Sequence, residues 1–90
     1  MNKRDPGWTP GRRTAELLRT HELEAYRTAY YLLQDEKMAV QAARNALLSI
    51  GKLPELPKWS DVVRQAAVKK AAIREALAVA REALPRRLPS

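Results

Sequence analysis

Apolar positions recur along the chain at spacings of three and four residues, the pattern of helices that each bury one side. The clearest stretch is Tyr26 to Lys52, YRTAYYLLQDEKMAVQAARNALLSIGK. Its first half places Tyr26, Ala29, Tyr30 and Leu33 on one stripe. In its second half Ala39, Ala43, Ala46, Leu47 and Ile50 fall at i, i+4, i+7, i+8 and i+11. Asp35 stands between the halves as an N-cap, where its carboxylate can accept from the free N–H groups of the next turn. Glu36 adds negative charge at the positive end of the helix dipole. Gly51 is expected as a left-handed C-cap. The stretch therefore predicts a helical hairpin.

On either side of the hairpin the pattern predicts an arm, a helix start, a loop and a third helix. Residues 1–13 contain Pro6, Gly7, Pro10 and Gly11 and are expected to be a flexible basic arm, with Lys3, Arg4, Arg12 and Arg13 available to a nucleic-acid backbone. A solvated tail with Trp8 pinned against the domain or an oligomer partner is the plainer alternative. The first helix should open at Thr14 and run unbroken to Leu33, with Leu18, Tyr26, Tyr30 and Leu33 inward and Leu23, Ala25 and Tyr31 off that line. The prolines of GKLPELPKW predict a packed loop, with Leu53, Leu56 and Trp59 lying on the bundle. Ser60 caps a third helix that Pro85 stops after Leu84. Its stripe of Val62, Ala66, Ile73, Leu77, Ala80 and Leu84 is expected to face the core. The prediction is an all-α, small three-helix bundle with helices at 14–33, 35–50 and 60–84, a helical domain over 14–84 and a tail at 85–90.

Composition narrows the possible functions. Ninety residues make one small domain. Without cysteine there are no disulfides or thiolate metal sites, and a reducing compartment is expected. The single histidine, His21, is expected on a helix surface, without partners for metal binding or base catalysis. No run of eighteen apolar residues is present, and MNKRDPGWTP lacks the apolar segment of a signal peptide, so a soluble cytoplasmic protein without a membrane partner is expected. Met1 and the Pro-Ser end read as those of an intact short protein. No glycine-rich phosphate loop, His-Glu metal spacing or nucleophile-histidine pair occurs, and Asp35-Glu36 is explained by capping, so no catalytic residue, metal or cofactor is expected.

Charge points to a polyanion. The formal net charge is +7. Residues 14–57 carry five basic and six acidic side chains, whereas residues 58–90 carry eight and three. Lys70, Arg74 and Arg81 fall at i, i+4 and i+11 on the third helix, forming a cationic ridge that Lys69, Arg86 and Arg87 widen. Such a ridge suits the DNA backbone, where each neutralised phosphate releases counterions. With Glu75 and Glu82 interspersed, it is equally what an ordinary solvated face looks like. The second helix exposes Lys37, Gln41, Arg44 and Asn45 as a candidate protein-binding side. The Tyr30-Tyr31 pair reads as core or partner contact more readily than as a base-stacking platform.

The run from Tyr26 to Lys52, continued through Trp59 to Ala76, resembles the second conserved region of bacterial sigma factors, especially the extracytoplasmic-function group. The resemblance implies that the second helix grips RNA polymerase and that the third opens and reads the promoter's upstream melting element. The contacting positions are degenerate: Gln41, Arg44 and Asn45 stand where that family is acidic, Lys69 where it often has Asn, and Ile73 where it often has Asp. Trp59 keeps the aromatic at the start of the third helix, but the helix itself has none. The resemblance thus implies attraction to the DNA backbone rather than base recognition, with RNA polymerase core or another transcription protein as partner. Ninety residues leave no room for a further helix-turn-helix, so a fragment, half of a split sigma factor or an adapted sigma-like domain all remain open. The rival expectation is a small protein-interaction or homo-oligomerisation bundle whose charge serves solubility, with membrane-surface binding third because the face of residues 60–84 is mostly alanine.

Overall fold

In the computed structural model, which describes residues 11–83, the regular elements are α1 Arg12–Thr20, α2 Glu22–Leu33, α3 Glu36–Gly51, a single 3₁₀ turn at Leu56–Lys58, and α4 Asp61–Ala83. The fold is all-α, with no strand among the described residues. Helices α2, α3 and α4 pack on one another along their lengths, and α1 rests more lightly against α2, α3 and the 3₁₀ turn.

The helix expected from Thr14 to Leu33 is in fact two. Helix α1 begins at Arg12, with Gly11 extended at its N-cap (φ −72°, ψ 172°) rather than Thr14. Arg12 and Arg13 therefore belong to a helix and not to the basic arm, while Lys3, Arg4 and Trp8 lie outside the described residues. The chain breaks at His21 (φ −108°, ψ 8°). Its N–H donates to the Leu18 carbonyl at 2.9 Å, tightening the last turn of α1, and its carbonyl accepts from Ala25 at 3.0 Å to start α2. Just before the break, the Thr20 hydroxyl donates back to the Glu16 carbonyl at 3.0 Å. His21 is buried, only 8% exposed, and its Nε2 has no hydrogen-bond partner. The surface position read from a continuous helical wheel fails because the backbone leaves helical dihedrals at that residue.

The corner of the hairpin follows the sequence closely. Asp35, extended at φ −146°, accepts from the Met38 N–H at 2.9 Å and caps α3. Before it, Gln34 takes the left-handed conformation (φ 54°) and ends α2, with its side chain donating to the Tyr31 carbonyl at 3.0 Å. Gln34 is the only non-glycine with positive φ among the described residues, and no glycine there has one. Gly51 is thus not the left-handed cap that was expected. It is buried in the last turn of α3, and the Leu53 N–H donates to Ile50 at 3.1 Å as the chain turns out ahead of Pro54.

The interior is made mostly of alanine. Ala25, Ala29, Ala39, Ala42, Ala46, Ala71, Ala72 and Ala76 are fully buried, divided between two clusters along the bundle. The cluster nearer the Gln34–Asp35 corner holds Ala29, Ala39, Ala42 and Ala76, edged by Tyr26, Leu33 and Val79. The larger cluster adds Leu18, Ile50, Leu56 and Val68 and is edged by Leu53 and Trp59, so the proline-containing loop does pack on the bundle. Ala25, expected off the buried line, is at its centre, while Tyr30 is 37% exposed.

On α4 the expected and observed faces differ most. The buried residues are Val68, Ala71, Ala72 and Ala76. The expected inward stripe points largely to solvent: Val62 is 74% exposed, Ile73 41% and Leu77 57%, with Ala66 exposed and only Ala80 half-buried. Leu84 lies outside the described residues. The helix has two apolar sides, and the side rich in alanine is the one that fits against α2 and α3.

Leu56 and Val68 are the largest fully buried side chains. Leu56→Ala is expected to cost about 2–5 kcal/mol, the range for emptying a core leucine site, and urea denaturation followed by far-UV circular dichroism measures it. Asp35→Ala should cost about 1 kcal/mol through the lost cap, with no change in the denaturant slope.

Candidate interaction surface on the third and fourth helices

Helix α4 runs for 23 residues, and its capped start fixes which residues face outward. Ser60 accepts from the Val63 N–H at 3.2 Å, as expected of its N-cap. Arg64 locks the loop onto this first turn. Its guanidinium donates to the Trp59 carbonyl at 2.6 Å and the Leu56 carbonyl at 3.3 Å, and pairs with Asp61 at 3.0 Å. At its other side α4 is tied to α2 by a bond from the Gln65 amide to the Glu24 carboxylate at 2.9 Å.

These constraints leave Lys69, Lys70, Arg74 and Arg81 all exposed. Arg74 is the only one of the four with a partner among the described residues. It donates to the Ser49 hydroxyl of α3 at 3.2 Å and lies 3.7 Å from the Glu75 carboxylate. An ion pair this exposed adds little stability, within about 1 kcal/mol, but it lowers the charge Arg74 offers an outside anion. Lys69, Lys70 and Arg81 keep theirs. At 100° per residue, Lys70, Arg74 and Arg81 share one side of α4, and Lys69 stands about a quarter-turn from Lys70. Arg86 and Arg87 lie outside the described residues.

The four polar positions of α3 share one side of the helix, within about 100° of one another, and line two different clefts. Lys37, Gln41 and Asn45 border a cleft of about 460 Å³ shared with Glu75 and Glu82 of α4. Arg44 borders a separate cleft of about 500 Å³ between α1 and α3, floored by Leu18 and Leu47 and edged by Arg19 and Glu22. The second cleft was not foreseen from sequence, because it exists only once α1 is a separate helix. Val40 and Leu48, 45% and 39% exposed, add apolar surface beside it.

The aromatic side chains are mostly committed internally. Tyr26 and Tyr30 stack with centroids 5.9 Å apart and planes at 23°. Trp59 packs against the larger core cluster, and Tyr31 is 78% exposed. Among the described residues no group of three His, Cys, Asp or Glu side chains could hold a metal ion, and no helix is long and apolar enough to cross a membrane. The arrangement is a helical surface with unpaired cations beside exposed aliphatic residues.

The class that fold and surface define is an all-helical domain with a partly basic, partly apolar outer face. No family model matches the chain, and neither a curated protein nor a solved structure matches it.

Removing the guanidinium in Arg64→Ala is expected to release the loop. Stability should fall by about 1.5–3 kcal/mol, as for loss of charged hydrogen bonds, and amide exchange at residues 55–60 should quicken more than in α2. Unchanged exchange there would show that Arg64 does not hold the loop.

Proposed function

We propose that this chain is a sigma-factor-like transcription module. It meets the DNA backbone along α4 and contacts RNA polymerase or another transcription protein across the outer side of α3. The observation that carries the reading is the set of Lys69, Lys70 and Arg81, exposed on one long helix and without an ion-pair partner among the described residues. The order of hairpin, packed loop and long basic helix supports it as well. Lysine and arginine neutralise phosphates without reading sequence, and Trp59 is held against the core, so binding is to the backbone and not to flipped bases. Lys37, Gln41, Asn45 and Arg44 are the α3 residues offered to the protein partner, exposed or half-buried along one side of the helix.

A second reading, a protein-interaction module without nucleic-acid binding, is favoured by the exposure of Val62, Ile73 and Leu77. Gel shifts with double- and single-stranded promoter DNA at low salt, together with a pull-down of core RNA polymerase, separate the two readings. DNA binding is expected to fall steeply with salt. Combined Lys69→Ala and Lys70→Ala should weaken it similarly on all sequences and reduce the log K against log salt slope by about 1–2. Absence of binding to both DNA and core enzyme at low salt ends the transcription reading.

A further inference from the structure

Helix α4 uses one apolar side and leaves the other in water. Val62, Ala66, Ile73 and Leu77 fall within about 60° of one another and span about 22 Å of helix axis. Val62, Ile73 and Leu77 are 74%, 41% and 57% exposed. Lys69 and Lys70 stand halfway along the strip, one at each edge, and neither has an ion-pair partner among the described residues. The strip thus carries aliphatic side chains towards both ends and a lysine on either edge at mid-length, with Arg74 and Arg81 continuing the Lys70 edge beside and beyond Leu77.

We propose that this outer face of α4 docks an amphipathic helix of a partner protein that carries carboxylates at its centre, between apolar turns. Such a helix buries the aliphatic ends and pairs both lysines at once. A second copy of this chain fits poorly. Because residues 69 and 70 sit midway between 62 and 77, an antiparallel twofold pairing brings four ammonium groups together at the crossing. A parallel twofold pairing sets each lysine beside its own copy. Nucleic acid satisfies the lysines but leaves Val62, Ile73 and Leu77 uncovered. A lipid surface gains little from the strip, since Val62, Ala66, Ile73 and Leu77 are few and offer little depth of insertion. The docking deepens the protein-interaction reading and uses two of the lysines that the transcription reading gives to phosphates, so helix and duplex compete for them; the peptide assay decides the docking and the gel shift decides the DNA reading.

The test uses the full chain and two fluorescent synthetic helical peptides of about 18 residues, roughly 27 Å long. Both carry leucine at the a and d heptad positions; one has Glu-Glu at its centre and the other Lys-Lys. By fluorescence anisotropy the acidic peptide should bind at least about tenfold more tightly. Joint Ile73→Asp and Leu77→Asp should weaken it by more than about tenfold, since two aliphatic anchors are lost. Joint Lys69→Glu and Lys70→Glu should reverse the preference between peptides. These positions are exposed, so circular dichroism melts should stay close to the parent; if the aspartate pair nevertheless unfolds the chain, the charge reversal decides alone. Failure of both peptides to bind, equal affinity for the two, or an unreversed preference overturns the proposal. So does a dimer in sedimentation that the aspartate pair dissolves, or binding of duplex DNA or phosphatidylglycerol vesicles through Ile73 and Leu77 in place of the peptide.

Discussion

The whole molecule depends on helices approaching one another closely enough for alanine to fill the space between them. Among the described residues eight alanines are fully buried, against two larger fully buried side chains, Leu56 and Val68. Small side chains bring helix axes to the short end of the usual 8–10 Å range. Each alanine contributes little buried area, so the interior relies on dense contact rather than on bulk. A polar or larger residue at any of these positions would have to push two helices apart.

Close approach accounts for the weight carried by the loop before α4. Leu56, brought in by the 3₁₀ turn that includes Pro57, completes the larger buried cluster beside Ile50 and Val68. The loop then needs its carbonyls satisfied, and the half-buried Arg64 does this for Leu56 and Trp59 while pairing with Asp61. Packing of Val68, Ala71, Ala72 and Ala76 against the bundle sets the rotation of α4, and this joint and the exposed Gln65–Glu24 bond are consistent with it. With its alanines turned inward, the bulkier Val62, Ile73 and Leu77 are carried outward beside the lysines. The basic and the apolar parts of the outer surface thus have one cause.

Electrostatics distinguishes the cations that support the fold from those available to a partner. The half-buried Arg64 is committed to the Leu56 and Trp59 carbonyls and to Asp61, with its Nε left without a partner, and Arg74 is drawn towards Ser49 and Glu75. Lys69, Lys70 and Arg81 have no such attachments among the described residues. A net charge of +7 makes approach to any polyanion favourable at long range. At short range, the aliphatic strip between the lysines distinguishes a protein helix from a phosphate backbone.

Local chemistry was legible in the sequence. Asp35 and Ser60 cap helices, the Tyr26–Lys52 stretch is a hairpin, and the proline loop packs, because each depends on a few neighbouring residues. The α3 stripe was legible too: Ala39, Ala43, Ala46 and Ile50 are buried as their spacing indicates, while Val40 and Leu48 remain partly in solvent. The break at His21 was not, because no proline or glycine marks it and the burial of the imidazole is decided by helices distant in sequence. Nor was the inward side of α4. A chain with two apolar faces on one helix leaves hydrophobicity undecided between them, and close packing chose alanine over valine, isoleucine and leucine. Sequence alone determined where α3 and α4 begin and how charge is divided along the chain. Only the tertiary structure decided which residues meet the outside, because that depends on which surface lets three helices come together without a gap.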